Sequence, residues 1–304
     1  MTLVTASGSE AQPYPTRTVD EPSTVPRREV VVHGTESDGP LDAERLRAYD
    51  HRGFLIIDDL LNSEDLERLS TALNRIVNDP ALANDERLIR EPDGDAVRSV
   101  FEVDALDPVF ADLAADPRVL DPIRQILGSE VYLHQARANL KPGFHGKEFY
   151  WHSDFETWHA EDGMPTMRAL SISISLTANE IHNGSLMIIP GSHRTFVGCR
   201  GATPSDHYRD SLRSQQVGVP SEMVLTRLVA EGGVEMITGP AGSAVMFDCN
   251  AMHGSAGNIT PFSRHNLFFV FNSVENSLVE PFAAERPRPA FIAARVVDPL
   301  IRIS

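Results

Sequence analysis

The segment Leu170-Ser171-Ile172-Ser173-Ile174-Ser175-Leu176 alternates apolar and polar residues without a fault. Only a β-strand has a side-chain period of two; wound as a helix, the same residues would scatter leucine and isoleucine around every side. A half-buried strand is predicted here, and the periods of the other segments decide what it packs with. Leu66, Leu69, Leu73, Ile76 and Val77 recur at helical spacing behind a cap at Asn62 or Ser63. Leu41 to Asp50 reads as a helix stopped by Gly53, and about Pro117 to Leu127 as another stopped by Gly128. Phe54–Ile57 is a buried strand, and further strands are predicted at Val97–Val103, Val131–Lys141, Ser185–Ile189, Ser243–Phe247 and Arg264–Asn272. Asn183-Gly184, Pro190-Gly191 and Gly239-Pro240-Ala241-Gly242 supply turn chemistry between them. Helices first and many short strands afterwards point to a mainly β fold, a sandwich or barrel with N-terminal helices on its flank.

Composition bounds the function classes. With 43 Asp and Glu against 27 Lys and Arg, the net charge of −16 speaks against a phosphate-tracking surface, so nucleic acid is not an expected partner. The longest strongly apolar runs, such as Leu267–Phe271, are strand-sized and too short to span a membrane. The first residues lack a basic start followed by an apolar run, and Cys199 and Cys249 alone make no disulfide framework. A cytoplasmic protein is expected. Residues 1–40 hold Pro13, Pro15, Pro22, Pro26 and Pro40 among Ser, Thr and Glu, a composition predicted to form a loose tail. Residues 41–304 then form a single domain, in which the polar stretch 200–235, with a helix at Ser221–Ala230, reads as an insertion and candidate lid.

Parity within Val131–Lys141 is informative. Gln135, Arg137, Asn139 and Lys141 share one face, and Tyr132, His134, Ala136, Ala138 and Leu140 the other. For an isolated strand the ordinary reading is a solvated polar face. In Arg264–Phe271 the face with Arg264, Asn266, Phe268 and Val270 mixes polar and aromatic groups, which suits a pocket wall.

His152-Ser153-Asp154 places an imidazole and a carboxylate two residues apart, pointing the same way if the segment is a strand. The spacing alone carries nothing: eleven histidines and 43 acidic residues give roughly 1.6 such H-x-[DE] matches by chance, and the chain has two. Context raises it, because His253 follows a strand and a turn and can add a third ligand, with Arg264 at the start of the next strand. Two histidines and a carboxylate on one side of a metal suit Fe(II), with zinc as the chemical rival. A nearby arginine can hold an organic carboxylate with both arms of its fork. His33, His51 and His207 are expected at the surface, His193 bonded to backbone carbonyls, His159 with Glu161 as a decoy pair, and Cys249 as a buried inert thiol.

The order H-x-D, Asn183-Gly184-Ser185-Leu186, Pro190-Gly191-Ser192-His193, G-x-x-G, His253 and Arg264 resembles the phytanoyl-CoA dioxygenase-like branch of the Fe(II)/2-oxoglutarate dioxygenases, over about residues 45–285. The block Phe149-Tyr150-Trp151-His152-Ser153-Asp154-Phe155-Glu156-Thr157-Trp158-His159, with Glu161-Asp162-Gly163-Met164-Pro165, is similar to the signature of ectoine hydroxylases. The resemblance implies a double-stranded β-helix (jelly-roll, cupin-like) core and a homodimer. It also implies hydroxylation of ectoine to the compatible solute 5-hydroxyectoine, with O2 as co-substrate and 2-oxoglutarate converted to succinate and CO2. By the same resemblance His152, Asp154 and His253 ligate iron. Asn139, Lys141, Phe149, Ser255 and Arg264 line the 2-oxoglutarate site, and Gln135, Arg137, Trp158, Phe247, Asn266 and Phe268 meet ectoine. The polar parity set then becomes the inner wall of a barrel. Arg137 and Trp158 are the residue types that a carboxylate and an amidinium cation call for, the cation–π contact contributing about 2 kcal/mol when desolvated. A relative acting on proline or another small zwitterion, and a jelly-roll that binds without catalysis, are the alternatives.

Overall fold

The computed structural model describes residues 13–17, 23–92, 94–214 and 216–303. Numbered along the chain, seven strands form a large antiparallel sheet in the order β2 (Phe54–Ile57), β11 (Ala244–Asp248), β7 (Ala169–Ser175), β13 (Arg264–Ser273), β5 (Val131–Lys141), β4 (Val97–Phe101) and β3 (Leu88–Arg90). A smaller sheet runs β10 (Glu235–Ile237), β8 (Leu186–Ile188), β12 (His253–Ser255), β6 (Phe149–His152), and β1 (Ser23–Pro26) pairs with β9 (Thr195–Gly198). Phe54, Val245, Phe247 and Phe268 of the large sheet pack with Leu186, Ile188 and Ile237 of the small one in a shared core. The two sheets face each other as a jelly-roll requires.

In β5 and β7, side-chain parity separates an oily outer face from a polar inner one. Ala136, Ala138 and Leu140 of β5, Leu170, Ile172 and Ile174 of β7, and Leu267 and Phe269 of β13 join the largest core cluster. The opposite residues of β7 are the serines, and they are buried too. The strand predicted to be half-buried is thus covered on both sides, its polar face turned into the barrel, where Ser171 and Ser173 meet the acid and amide groups of the site. The same holds for Gln135, Asn139 and Lys141, all buried.

Helices cover the outer face. α1 (Ala43–Arg52) starts at the Asp42 cap and ends at Gly53, which sits at φ 80° in the left-handed region that glycine enters freely. α2 (Ser63–Val77) opens with a capping box between Asn62 and Asp65. α3 (Val103–Leu106) and α4 (Pro108–Ala115) precede α5 (Pro117–Leu127). Leu69, Leu73 and Ile76 of α2 and Val119, Ile123 and Ile126 of α5 interlock with the apolar face of the sheet, each buried side chain contributing about 1.5–3 kcal/mol. α6 (Asp154–Thr157) continues into a π-helical turn, Trp158–Asp162. α7 (Tyr208–Ser211) and α8 (Glu222–Gly232), the latter capped by Ser221, lie in the predicted insertion.

The expected tail departs most from what is found. Residues 1–12 and 18–22 lie outside the described ones, but the rest of 1–40 is anchored. Tyr14 and Thr16 are fully buried, Arg17 nearly so, and β1 pairs with β9. Prolines hide this in the sequence: the anchors are single side chains whose partners lie about 140 residues away. The strand predicted at Val97–Val103 ends at Phe101, where Glu102 takes φ 52° and turns the chain into α3.

Candidate active site

β6 and β12 lie side by side with His152 directly opposite His253 in the ladder. The two rings stand 4.3 Å apart between centroids. His152 is the last residue of its strand, while Asp154 is the first residue of α6. The predicted same-face strand placement is therefore corrected: a turn at Ser153, not strand parity, brings the carboxylate beside the imidazoles. Asp154 Oδ1 lies 3.6 Å from His152 Nε2 and 3.9 Å from His253 Nε2. Among the described residues this is the one group of three such side chains whose donor atoms converge within 4.8 Å.

The hydrogen bonds around the triad leave the right atoms free. His152 Nδ1 donates to Tyr150 O at 2.6 Å and His253 Nδ1 to Ala251 O at 2.9 Å, so each Nε2 keeps its lone pair. Ser171 Oγ donates to Asp154 Oδ2 at 3.2 Å, leaving Oδ1 for a metal. Ligand bonds near 2.1 Å put neighbouring donors about 3 Å apart, somewhat closer than the 3.6 and 3.9 Å found here. Burial opposes ionisation of Asp154, but His253, His152 and Arg137 outweigh it and hold the carboxyl well below the usual carboxylate range. Burial, with repulsion from His152, lowers His253 to about 4 against the attraction of Asp154. Asp154 is thus set as a carboxylate and His253 as a neutral imidazole, two of the donor forms a divalent cation needs.

Two cavities meet there, sharing Arg137, Phe149 and His152 in their walls. The inner one runs past His253, Asn139, Ser255 and Phe268 to Arg264. Arg264 is 2% exposed, and its Nε and Nη1 have no hydrogen-bond partner. Burial alone lowers it to about 10, so it stays charged at neutral pH. A buried unpaired guanidinium calls for an anion, since leaving one uncompensated costs several kcal/mol. The outer cavity is walled by Gln135, Trp158, Thr157, Glu161, Ser99 and Arg288, with His207, Leu212 and Val217 from the insertion.

The family model for phytanoyl-CoA dioxygenase (PhyH) matches residues 49–266, which contain the whole triad and Arg264. The chain belongs to the phytanoyl-CoA dioxygenase family. Within it, the chain is 53% identical to the ectoine dioxygenase of Streptomyces coelicolor over 299 residues, 98% of this chain and all of that one. Its structure is similar to that of EctD from S. alaskensis with 2-oxoglutarate and 5-hydroxyectoine, at a TM-score of 0.87 and 45% identity over 96% and 97% of the two chains. The same protein with bound Fe matches at 0.86 and 44%, covering 96% and 98%.

In this phytanoyl-CoA dioxygenase family member, Asn139, Phe149, Ser255 and Arg264 of the expected 2-oxoglutarate set line the inner cavity. Lys141 stands behind them, its Nζ donating to Ser255 Oγ at 2.8 Å and to Ala256 O. Burial, with repulsion from Arg264 and Arg98, lowers its ammonium to about 6. Of the set expected at ectoine, Gln135, Arg137 and Trp158 line the outer cavity and Phe268 the inner one, where the Arg137 guanidinium lies 5.2 Å over its ring. Phe247 packs 4.9 Å from the His253 ring, and Asn266 Nδ2 donates to Ser173 Oγ; both support the wall from behind. His207, expected at the surface, is buried and faces the outer cavity. His193 meets Asp50 O, and His159 stacks on Phe282 away from the triad. Glu161 and Arg288 carry no sequence signal for their place in the outer wall, since one lies in a motif read as a decoy and the other in coil beyond the last strand.

Proposed function

We propose that this chain is an Fe(II)- and 2-oxoglutarate-dependent dioxygenase that hydroxylates ectoine to 5-hydroxyectoine, with succinate and CO2 as co-products. One observation carries the reading: the His152–Asp154–His253 triad stands where a cavity ending in an unpaired buried arginine meets one walled by Trp158, Gln135 and Arg137. The near full-length kinship with ectoine dioxygenases supports the substrate.

Iron(II) and 2-oxoglutarate, when bound, supply the oxidising chemistry by which O2 hydroxylates a C–H bond. The chain's own residues bind, orient and exclude. His152 Nε2, His253 Nε2 and Asp154 Oδ1 hold the metal, their other ring and carboxylate atoms fixed by backbone carbonyls and Ser171. Arg264 pairs with the distal carboxylate of 2-oxoglutarate, a charge-assisted contact in a water-poor recess. Trp158 offers an aromatic face to the ectoine amidinium, Gln135 an amide and Arg137 a guanidinium for its carboxylate. Phe149 and Phe268 close the junction with apolar surface, which keeps bulk water from the metal. We further propose that the enzyme works as a homodimer in the cytoplasm, in osmotic-stress protection. The insertion serves as the lid of the outer cavity. No helix of the described residues is long and apolar enough to cross a membrane.

The test incubates the protein with Fe(II), 2-oxoglutarate and O2, offering ectoine or proline, and measures succinate and any product about 16 Da heavier. Ectoine-dependent turnover that Asp154→Ala abolishes is expected. Turnover with proline alone moves the substrate assignment, and binding without O2 consumption overturns the enzyme reading.

A further inference from the structure

Three ligands come from two separate pieces of chain, 152–154 and 253, and something must fix their spacing. The two pieces are tied by a buried bond between side chains. Ser153, flanked on both sides by ligands, donates from Oγ to Asn250 Oδ1 at 2.9 Å. Asn250 lies three residues before His253, in the turn between β11 and β12, and both partners are under 4% exposed. Its amide is used to the full: Nδ2 donates to His193 O at 2.9 Å and to Thr195 O at 3.1 Å. Its backbone N–H donates to Asp248 Oδ1 at 2.8 Å, and Asp248 Oδ2 in turn accepts from Arg27 Nη1 at 2.7 Å. The Phe155 backbone N–H reaches across to Cys249 O, next to Asn250, at 2.8 Å.

We infer that Asn250 is a positioning residue for the metal triad, acting through Ser153 to set the separation of His253 from His152 and Asp154. The inference rests on the iron reading above. A buried amide whose oxygen and both N–H bonds are engaged cannot rotate without orphaning several groups, so it fixes its neighbours more firmly than a loop backbone would. Arg27 and Asp248 extend the brace to the N-terminal segment, which thereby contributes to the site without touching it.

Substituting groups that orient metal ligands typically weakens metal affinity about 10–100-fold. The test titrates metal-free wild type, Ser153→Ala, Asn250→Ala, the double variant and Ser153→Thr with Co(II), reading the visible ligand-field bands, with circular dichroism and thermal melts of the metal-free forms alongside. The expected result is a Kd raised about 10-fold or more in Ser153→Ala and Asn250→Ala. The double variant should be no weaker than the worse single one, and Ser153→Thr, which keeps the hydroxyl, should stay near wild type. A Ser153→Ala protein that binds Co(II) within twofold of wild type overturns the inference while leaving the iron reading intact. Failure of the wild type itself to bind overturns both. Ser153→Ala removes one oxygen and carries the test if Asn250→Ala does not fold.

Discussion

Asp162 illustrates how single side chains outside the triad hold the outer wall. Arg288 grips its carboxylate from Nε at 2.7 Å and Nη2 at 2.5 Å, and His134 Nε2 stands 3.3 Å from Oδ2. Burial opposes ionisation, but Arg288 and His134 prevail and lower the carboxyl from 3.8 to about 2. The sign follows from proton counts: between these values the unfolded chain binds more protons, so this group's stabilisation is present above about pH 4 and is lost as pH falls toward 2. The loss is on the order of 2 kcal/mol. Urea midpoints measured between pH 5 and 3 should therefore fall more steeply for wild type than for Asp162→Asn; parallel profiles would refute the assignment. The triad and Arg264 were legible because the order of motifs along the chain singles them out, which the H-x-D spacing alone does not. The Asp162–Arg288 pair was not, since nothing local in coil residues 284–289 tells a buried arginine from a solvated one.

At the scale of elements, β5 was read with its full bounds and inward polar face, yet one feature escaped. Gln135 pairs with Val270 and Leu133 with Phe271, so His134 is an extra residue bulged out of the ladder. The bulge sends His134 to the inner side, 5.3 Å from the Trp158 ring, although strict alternation puts it outside. Periodicity finds strands but not their irregularities. The helix that carries Asp154 and Trp158 depends likewise on a remote partner. Arg17 donates to Glu156 from Nη2 at 2.7 Å and Nε at 2.9 Å, and also pairs with Glu161. Gly218 of the insertion, at φ 75°, abuts the same guanidinium so closely that a Cβ would lie 2.2 Å from it. Removing this cation leaves two buried carboxylates uncompensated. Arg17→Met should cost about 3–5 kcal/mol in urea unfolding, and adding Glu156→Gln and Glu161→Gln should restore much of it. A single variant within about 1 kcal/mol of wild type, a typical surface value, would show the segment to be dispensable.

At the scale of the molecule, the net charge of −16 and the chemistry of the site have opposite signs. The acidic surplus excluded a nucleic-acid surface but said nothing of the interior, where the cations Arg137 and Arg264 stand on the paired strands β5 and β13 and burial, with repulsion from Arg264, lowers neighbouring Lys141 to about 6. Desolvation and mutual repulsion make that concentration of cations costly, so folding and ligand binding are linked: whatever anion or metal the site takes binds the folded chain alone and raises its stability. At a hundred times its Kd, a ligand adds about 2.7 kcal/mol, which for a chain of this size corresponds to roughly 4 °C in Tm. Under anaerobic conditions, Fe(II) should raise the melting temperature of wild type and 2-oxoglutarate should raise it further. On the proposal that Arg264 holds the far end of the co-substrate without touching the metal, Arg264→Ala should keep the metal increment and lose the 2-oxoglutarate one. Asp154→Ala should lose the metal increment first. If 2-oxoglutarate stabilises Arg264→Ala as much as wild type, the distal carboxylate sits elsewhere and the inner cavity has been given the wrong occupant.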